Sequence, residues 1–103
     1  MTYGIIRIRN VAHRRGRDEH YIWNPRTNDW DPLYYWTMGK VEKYTWRSGR
    51  VVMFKSWFED GGETYVDDRW MALPMRIIEE LGLANYVLEE VEKKPKWQVV
   101  MDK

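Results

Sequence analysis

The sequence predicts an α+β fold in which an antiparallel sheet of about five to six strands packs against one or two helices. Short runs of β-branched and aromatic residues, separated by turn-forming residues, fill much of the first part of the chain. A later segment combines helical spacing of apolar residues with a proline at its start and a glycine at its end. With 103 residues, 44% of them hydrophobic, the chain is expected to form one domain, residues 1–103, around a modest core.

The first strand is predicted over residues 3–11, because apolar and charged side chains alternate there. Ile6 and Ile8 would lie on one face of this strand, and Arg7 and Arg9 on the other. The pattern indicates a strand with one face in the core and positive charge on the opposite face.

A polar, basic loop centred on Gly16 follows over residues 13–19. Residues 20–24 are predicted to return as a second strand, which ends where Pro25 removes a backbone donor. Residues 25–32 are rich in proline, aspartate and asparagine and are predicted to form turns.

Residues 33–38 fit either a strand or the start of a helix. Their aromatic content favours a strand, and Gly39-Lys40 then suits a two-residue hairpin turn with glycine first. Alternatively, Asp31 could cap a helix with Pro32 in its first turn. We expect the strand, because Gly39 would interrupt a helix.

The strand interpretation extends to an antiparallel meander over residues 33–68. Residues 41–47 and 50–58 would pair around a short turn between them. The acidic, glycine-containing turn at residues 60–63 would then lead into a strand over residues 64–67.

The predicted strand over residues 50–58 is apolar on both faces, so both faces need a cover. Simple alternation places Val52, Phe54 and Phe58 on one face of this strand. It places on the other face Val51, Met53 and Trp57. We expect the second cover to be a helix, a second sheet or another protein chain.

Residues 73–81 are the clearest predicted helix. Ile77 and Leu81 share an apolar stripe, Pro74 suits the first turn, and Gly82 suits the C-terminal stop. The secondary structure of the residues after this helix is less clear from the sequence.

Residues 85–93 fit either a second helix or half of a hairpin that turns at Lys94-Pro95. Val87, Leu88 and Val91 have the spacing of a helix face. A final strand is predicted over residues 97–101.

Charge is segregated along the chain, although the net charge is +1. Residues 1–58 carry eleven Lys or Arg against five acids, whereas residues 59–92 carry ten acids against Arg69 and Arg76. This asymmetry can attract a charged partner. It can equally be cancelled when one half folds against the other, or when two subunits pair head to tail.

Several kinds of chemistry find no support in the sequence. The chain has no cysteine, which excludes disulfides, thiolate metal sites and a cysteine nucleophile. His13 and His20 are too far apart for a helical metal pair, and neither adjacent acidic pair, at 67-68 and 79-80, can converge on one ion. We therefore expect a non-enzymatic protein with no catalytic residue, no metal and no cofactor.

Aromatic and basic residues carry the main functional prediction. Eleven of the sixteen aromatic residues fall between Tyr21 and Phe58, in the half of the chain that is rich in Arg and Lys. Arginine binds phosphate, and exposed rings stack on unpaired bases, so we predict binding of DNA or RNA. The candidate residues, in the basic loop, its flanking strand and the aromatic segment, are Arg7, Arg9, Arg14, Arg15, Arg17, Tyr44, Trp46 and Arg47.

The alternative function is a protein-interaction or inhibitor module that uses the aromatic surface, either as a homodimer or on a cellular target. Tryptophan, methionine and arginine are enriched at such interfaces, and a symmetric dimer is the default assembly of small proteins. Trp36, Trp57 and Trp70 are the candidate interface residues. We expect a homodimer in either case.

The expected location is the cytoplasm, or the host cytoplasm if the protein is viral. No apolar run approaches the length of a membrane span, and residues 1–7 lack the pattern of a signal peptide. The scarcity of Cys and Gln beside many Arg, Lys and Glu is also the bias of thermophile proteins.

Overall fold

The computed structural model describes residues 1–93, in which six strands form an antiparallel sheet with two α-helices on one side. The strands are β1 Tyr3–His13, β2 Glu19–Asn24, β3 Asp29–Pro32, β4 Arg50–Glu59, β5 Thr64–Pro74 and β6 Glu89–Val91. The helices are α1 Tyr35–Ser48 and α2 Met75–Glu80, with short 3-10 turns at Asp60–Gly62 and Ala84–Tyr86. The predicted α+β class is confirmed.

Strand β1 is the centre of the sheet, whose order is β3-β2-β1-β5-β4. Strand β6 pairs with the start of β1, where Ile5 lies opposite Glu89. The predictions of β1 and β2 from the sequence are confirmed. Strand β3 falls within the predicted turn region, and it forms because Trp23 of β2 can pair with Trp30 across a tight turn.

The two faces of the sheet differ as the alternation in β1 predicts. Ile6 and Ile8 are fully buried on the face that both helices cover, which we call the helix face. Arg7 and Arg9 lie on the opposite face, which we call the open face because neither helix packs on it. The main core therefore lies between the helix face and α1 and α2.

Helix α1 overturns the predicted strands over residues 33–38 and 41–47, and with them the hairpin at Gly39. Met38, Val41 and Thr45 are buried along one side of α1, and this burial outweighs the cost of about 1 kcal/mol for a glycine inside a helix. The helix alternative is correct in kind, but it begins at Tyr35 instead of at Pro32. Of the meander over residues 33–68, the β4–β5 hairpin remains.

A β-bulge in β4 changes the assignment of its faces. The register shifts between Met53 and Lys55, so that Phe54 and Lys55 both lie on the open face. Beyond the bulge, Trp57 joins the open face and Phe58 joins the helix face, where it contacts Tyr65. The sequence prediction for these last two residues is reversed, because a bulge breaks simple alternation.

Helix α2 is confirmed and ends before Gly82, whose φ of 73° is a conformation that favours glycine. It packs closely on the sheet at Gly4, where a Cβ atom would lie 2.4 Å from Cδ1 of Ile78. The proposed second helix over residues 85–93 is wrong, since this stretch contains part of a 3-10 turn and β6. The predicted strand over residues 97–101 lies outside the described residues.

Candidate functional site

A fully buried carboxylate on the open face is held by two arginines. Arg7 donates from Nη2 to Oδ2 of Asp68 at 2.9 Å. Arg9 donates from Nε to Oδ1 at 2.7 Å and from Nη2 to Oδ2 at 3.0 Å. The register causes this meeting, because β5 places Asp68 directly opposite Arg9 and Trp70 opposite Arg7.

Aromatic rings enclose both guanidinium groups. The Cζ atom of Arg7 lies 5.0 Å from the ring centre of Trp30 and 5.3 Å from that of Phe54. The Cζ atom of Arg9 lies 4.2 Å from the ring centre of Trp30 and 5.1 Å from that of Trp57. Such cation–π contacts each contribute about 0.5–2 kcal/mol, depending on desolvation. Arg7 and Arg9 therefore have a structural role in the sheet, whatever else they contact.

The pKa of Asp68 reflects this environment. Burial alone would raise the pKa, but the hydrogen bonds and charges of Arg9 and Arg7 outweigh burial and hold it below the ordinary value of 3.8. Asp68 is thus a stable anion in the folded protein. The Asp68 carboxylate neutralises part of the charge of the two arginines, which leaves less attraction for phosphate.

The other predicted arginines, in the loop between β1 and β2, are exposed. The backbone N–H of Arg14 donates to the carbonyl of Glu63 at 2.9 Å, and its guanidinium lies 3.7 Å from the Glu63 carboxylate. Arg15 and Arg17 are exposed and have no ion pair within residues 1–93. The loop therefore presents at least two cations to solvent.

A crevice lies between this loop and the start of α1, and we call it the tyrosine crevice. The ring of Tyr35 lies 5.9 Å from that of His20, and Arg17 and Asp18 border the same opening. Its inner part is a pocket of about 230 Å³ that reaches Asn10. Asn10 and His20 form the floor of this pocket, because the sheet register places Asn10 of β1 opposite His20 of β2.

Two buried polar atoms of the crevice floor have no hydrogen-bond partner within residues 1–93. These atoms are Oδ1 of Asn10 and Nδ1 of His20. Asn10 is only 8% exposed, so the missing partner costs about 1–3 kcal/mol unless something in the pocket supplies it. Among the described residues, the floor therefore holds one unpaired acceptor, Oδ1 of Asn10, and one unpaired ring nitrogen, Nδ1 of His20, whose role as donor or acceptor depends on the tautomer.

The far wall of the crevice is an ion-pair chain between the sheet and α1. Arg69 donates from Nε to Asp67 at 2.8 Å and from Nη1 to Glu42 at 2.9 Å. Burial would lower the pKa of Arg69, but its bonds to Asp67 and Glu42 raise it overall. Since Asp67 lies opposite Asn10, this chain fixes the position of the floor relative to α1.

The outer side of α1 is aromatic and basic. Tyr34, Tyr35 and Trp36 are 72%, 75% and 62% exposed at its start. Nζ of Lys40 lies 4.7 Å from the ring centre of Trp36. The exposed residues further along the helix are Glu42, which pairs with Arg69, and then Lys43, Trp46 and Arg47.

The structure separates the predicted nucleic-acid-binding residues into four groups. Tyr44 packs against the core, so its ring is not a free stacking surface. Trp46 and Arg47 are exposed near the end of α1, away from the tyrosine crevice at its start. Arg7 and Arg9 are paired on the open face, and Arg14, Arg15 and Arg17 lie in the loop between β1 and β2, so the predicted residues do not form one continuous site.

The predicted interface residues also differ in exposure. Trp36 is exposed on α1, and Trp57 is half-buried on the open face. Trp70 is 7% exposed and packs edge-on against Phe54, with ring centres 5.3 Å apart. It therefore offers little surface to another molecule.

Sequence reasoning missed Asn10, His20 and Tyr35 as members of one site. Residues 10 and 20 meet only through the β1–β2 register, and Tyr35 joins them only because α1 is a helix. The alternation in β1, which places Asn10 on the helix face beyond Ile8, was the one available signal.

No family model matches the chain, and no curated protein or solved structure matches it either. Within the described part of the chain, no helix is both long and apolar enough to cross a membrane. Over the same residues, no group of three or more His, Asp or Glu side chains could hold a metal ion.

Proposed function

We propose that this protein binds single-stranded DNA or RNA without catalysing a reaction, and that the tyrosine crevice is the main site. The observation that carries the proposal is the position of the exposed ring of Tyr35 beside the basic loop. Tyr35 borders the same opening as Arg17, with the polar floor beneath it, and the neighbouring Tyr34 and Trp36 are also exposed. Rings and arginines together are the means by which proteins hold unpaired nucleotides.

Each part of the surface suits a different part of the nucleic acid. Arg15 and Arg17 are free to make charge-assisted hydrogen bonds to phosphate. Lys40 and Lys43 on the outer side of α1 extend the positive surface away from the crevice. A strand that leaves the loop along α1 would keep its phosphates near these cations.

The crevice floor suits the edge of one base. Oδ1 of Asn10 accepts a hydrogen bond, as from an exocyclic amino group, and an asparagine can pair in this way with adenine. Nδ1 of His20 can form a second hydrogen bond with the same base. The ring of Tyr35 can then stack on the face of that base. A base in the pocket would satisfy two buried atoms that otherwise lack partners.

Single strands are favoured over duplexes for a geometric reason. Stacking on Tyr34 and Tyr35 needs a base whose face is free, and a base inside a duplex offers only its edges. Reaching Asn10 would also require a duplex base to leave its stack, which costs a few kcal/mol.

The test is a titration of fluorescently labelled single-stranded and duplex oligonucleotides, followed by anisotropy. Tyr35→Ala should weaken single-strand binding by about 1–3 kcal/mol, because one base loses its stacking partner. Tyr35→Phe keeps the ring and should bind as the wild type does. Loss of binding in the phenylalanine variant, or none in the alanine variant, would contradict the role of the ring.

A matched pair of arginine variants tests the loop. Arg17→Ala should weaken binding, because it removes a phosphate contact next to the crevice. Arg26→Ala removes an equally exposed arginine from the β2–β3 turn and should leave binding unchanged. Equal effects of both variants would show that only net charge matters and not this site.

The second candidate function is protein interaction, and one observation favours it. Exposed apolar side chains gather along the outer edge of β4, which lies away from the tyrosine crevice. The two functions can coexist because they use different surfaces.

A further inference from the structure

Strand β4 is a long edge of the sheet that is uncovered within the described part of the chain. It spans ten residues, and within residues 1–93 no strand pairs with its outer side. Unpaired backbone groups on such an edge are a template for another strand, and proteins usually protect long edges with charge, proline or a covering element. The opposite edge, β3, has four residues and ends in Pro32, so it is poorly suited to pairing.

Exposed apolar side chains mark the helix-face side of this edge. Val51, Met53 and Phe58 on β4 are 41%, 51% and 69% exposed. Trp46 at the end of α1 is 91% exposed and lies near Val51. A groove of about 380 Å³ runs between α1 and β4, with Trp46 and Val51 in its lining.

Because of the bulge, the order in which the side chains of β4 lie on the open face and on the helix face is the same when the strand is read from either end. From Arg50 to Phe54 the side chains alternate, starting and ending on the open face. From Lys55 to Glu59 they alternate again, also starting and ending on the open face. Two copies that pair antiparallel about the midpoint of Phe54 and Lys55 would therefore match open face with open face at every position.

We propose that the protein forms a symmetric homodimer in which β4 pairs antiparallel with β4 of a second copy, Arg50 lying opposite Glu59. The two sheets become one continuous sheet across the twofold axis. Each contact occurs twice, as a self-complementary interface requires.

Charge supports this register. Arg50 at one end of the strand meets the opposite charge of Glu59 of the second copy, and the twofold axis repeats the pair. At the centre, Lys55 of one copy lies opposite Phe54 of the other, a combination that permits a cation–π contact.

Apolar packing supports the same register. Val51 lies opposite Phe58 of the second copy, on the helix face. The ring of that phenylalanine would stand beside the groove that Trp46 and Val51 line. One pairing thus covers exposed apolar side chains of both copies and supplies the backbone partners that β4 lacks within residues 1–93, which favours a second copy over an unrelated chain.

Charge exchange tests the interface without removing apolar contacts. The wild type should have twice the 12.6 kDa mass of one chain by light scattering at about 100 μM. Arg50→Glu alone and Glu59→Arg alone should each weaken the dimer by about tenfold, because each places like charges together twice. An equal mixture of the two variants should recover the dimer as a heterodimer, in which both pairs are again opposite.

Cysteine cross-linking tests the register itself. Because the chain has no native cysteine, only the introduced thiols can form a disulfide. Met53→Cys and Ser56→Cys place exposed thiols at positions that the proposed pairing brings opposite each other. A mixture of the two variants should form disulfide-linked dimers on mild oxidation, whereas neither alone should. Thr27→Cys, in the exposed β2–β3 turn, is the control partner for each and should not cross-link.

The outcomes decide the proposal. A monomeric wild type at this concentration overturns it, as does a dimer that neither charge variant weakens. Cross-linking of Met53→Cys to itself as readily as to Ser56→Cys would show a different register. Nucleic-acid binding by Tyr35 variants is measured separately, so either proposal can fail without the other.

Discussion

Asp68 shows how single residues decide the character of the open face. A buried carboxylate is costly unless it is paired, and here two guanidinium groups and several aromatic rings replace its water. The Cζ atoms of Arg7 and Arg9 in turn lie 5.0 Å and 4.2 Å from the ring centre of Trp30. Arg7 and Arg9, two of the arginines that look like phosphate ligands in the sequence, are therefore part of the protein's own architecture.

Asp68→Asn should lower the free energy of unfolding by about 3 kcal/mol, because two partly buried arginines lose their counter-charge. Urea denaturation near neutral pH measures this loss. Asp18→Asn, at an exposed position with no ion pair within residues 1–93, should change the stability by less than about 0.5 kcal/mol.

The pH dependence has a definite sign. The folded pKa of Asp68 is lower than the ordinary value of 3.8, so on acidification the unfolded chain binds the proton first. The stability due to Asp68 is thus complete above that value and is lost as the pH falls towards the folded pKa. Asp68→Asn should lack this part of the acid sensitivity, and an equal loss in both proteins between about pH 5 and pH 3 would contradict it.

At the scale of elements, two glycines have opposite effects on the stability of α1 and of the turn that joins it to β4. Gly39 lies inside α1, and a Cβ atom there would have no neighbouring atom within 4 Å, so its lack of a side chain only costs helix stability. Gly49 joins α1 to β4, and a Cβ atom there would lie 2.0 Å from the carbonyl oxygen of Ala72. The turn from helix to edge strand therefore requires glycine.

The two alanine variants should have opposite effects. Gly39→Ala should raise the free energy of unfolding by about 0.8–1.0 kcal/mol, the helix preference of alanine over glycine. Gly49→Ala should lower it by about 1–3 kcal/mol, because the strands must move apart to admit the methyl group. Thermal and urea unfolding measure both, and a shift of the same sign in the two proteins would contradict this account.

At the scale of the whole molecule, folding cancels much of the charge segregation. Arg7 and Arg9 from the basic half pair with Asp68, and Arg69 from the acidic half pairs with Glu42. Arg15 and Arg17 beside the tyrosine crevice keep their charge exposed, as do the lysines on the outer side of α1. Positive charge is therefore available where the exposed rings are.

Salt should weaken nucleic-acid binding in proportion to the number of phosphates that these cations contact. We expect the affinity for a single-stranded oligonucleotide to fall between about 50 mM and 200 mM salt, with a log-log slope of about −0.7 per phosphate. The double variant Arg15→Ala/Arg17→Ala should make this slope shallower by about one unit. Equal affinity at both salt concentrations would leave the nucleic-acid proposal without support.

The candidate site could be predicted from the sequence only in part. The basic loop was evident because its charge is local, and the surplus of rings was evident from composition. The tyrosine crevice was not, because Asn10, His20 and Tyr35 become neighbours only through strand register and helix packing.

The sequence by itself determined the features that depend on near neighbours. Alternation specified β1 and its two faces, and Pro74 and Gly82 marked the limits of the region that holds α2, since these signals act within a few residues. Only the tertiary structure decided between strand and helix for α1, and only it placed the bulge in β4. Both choices depend on burial against distant strands, which outweighs a local preference of about 1 kcal/mol.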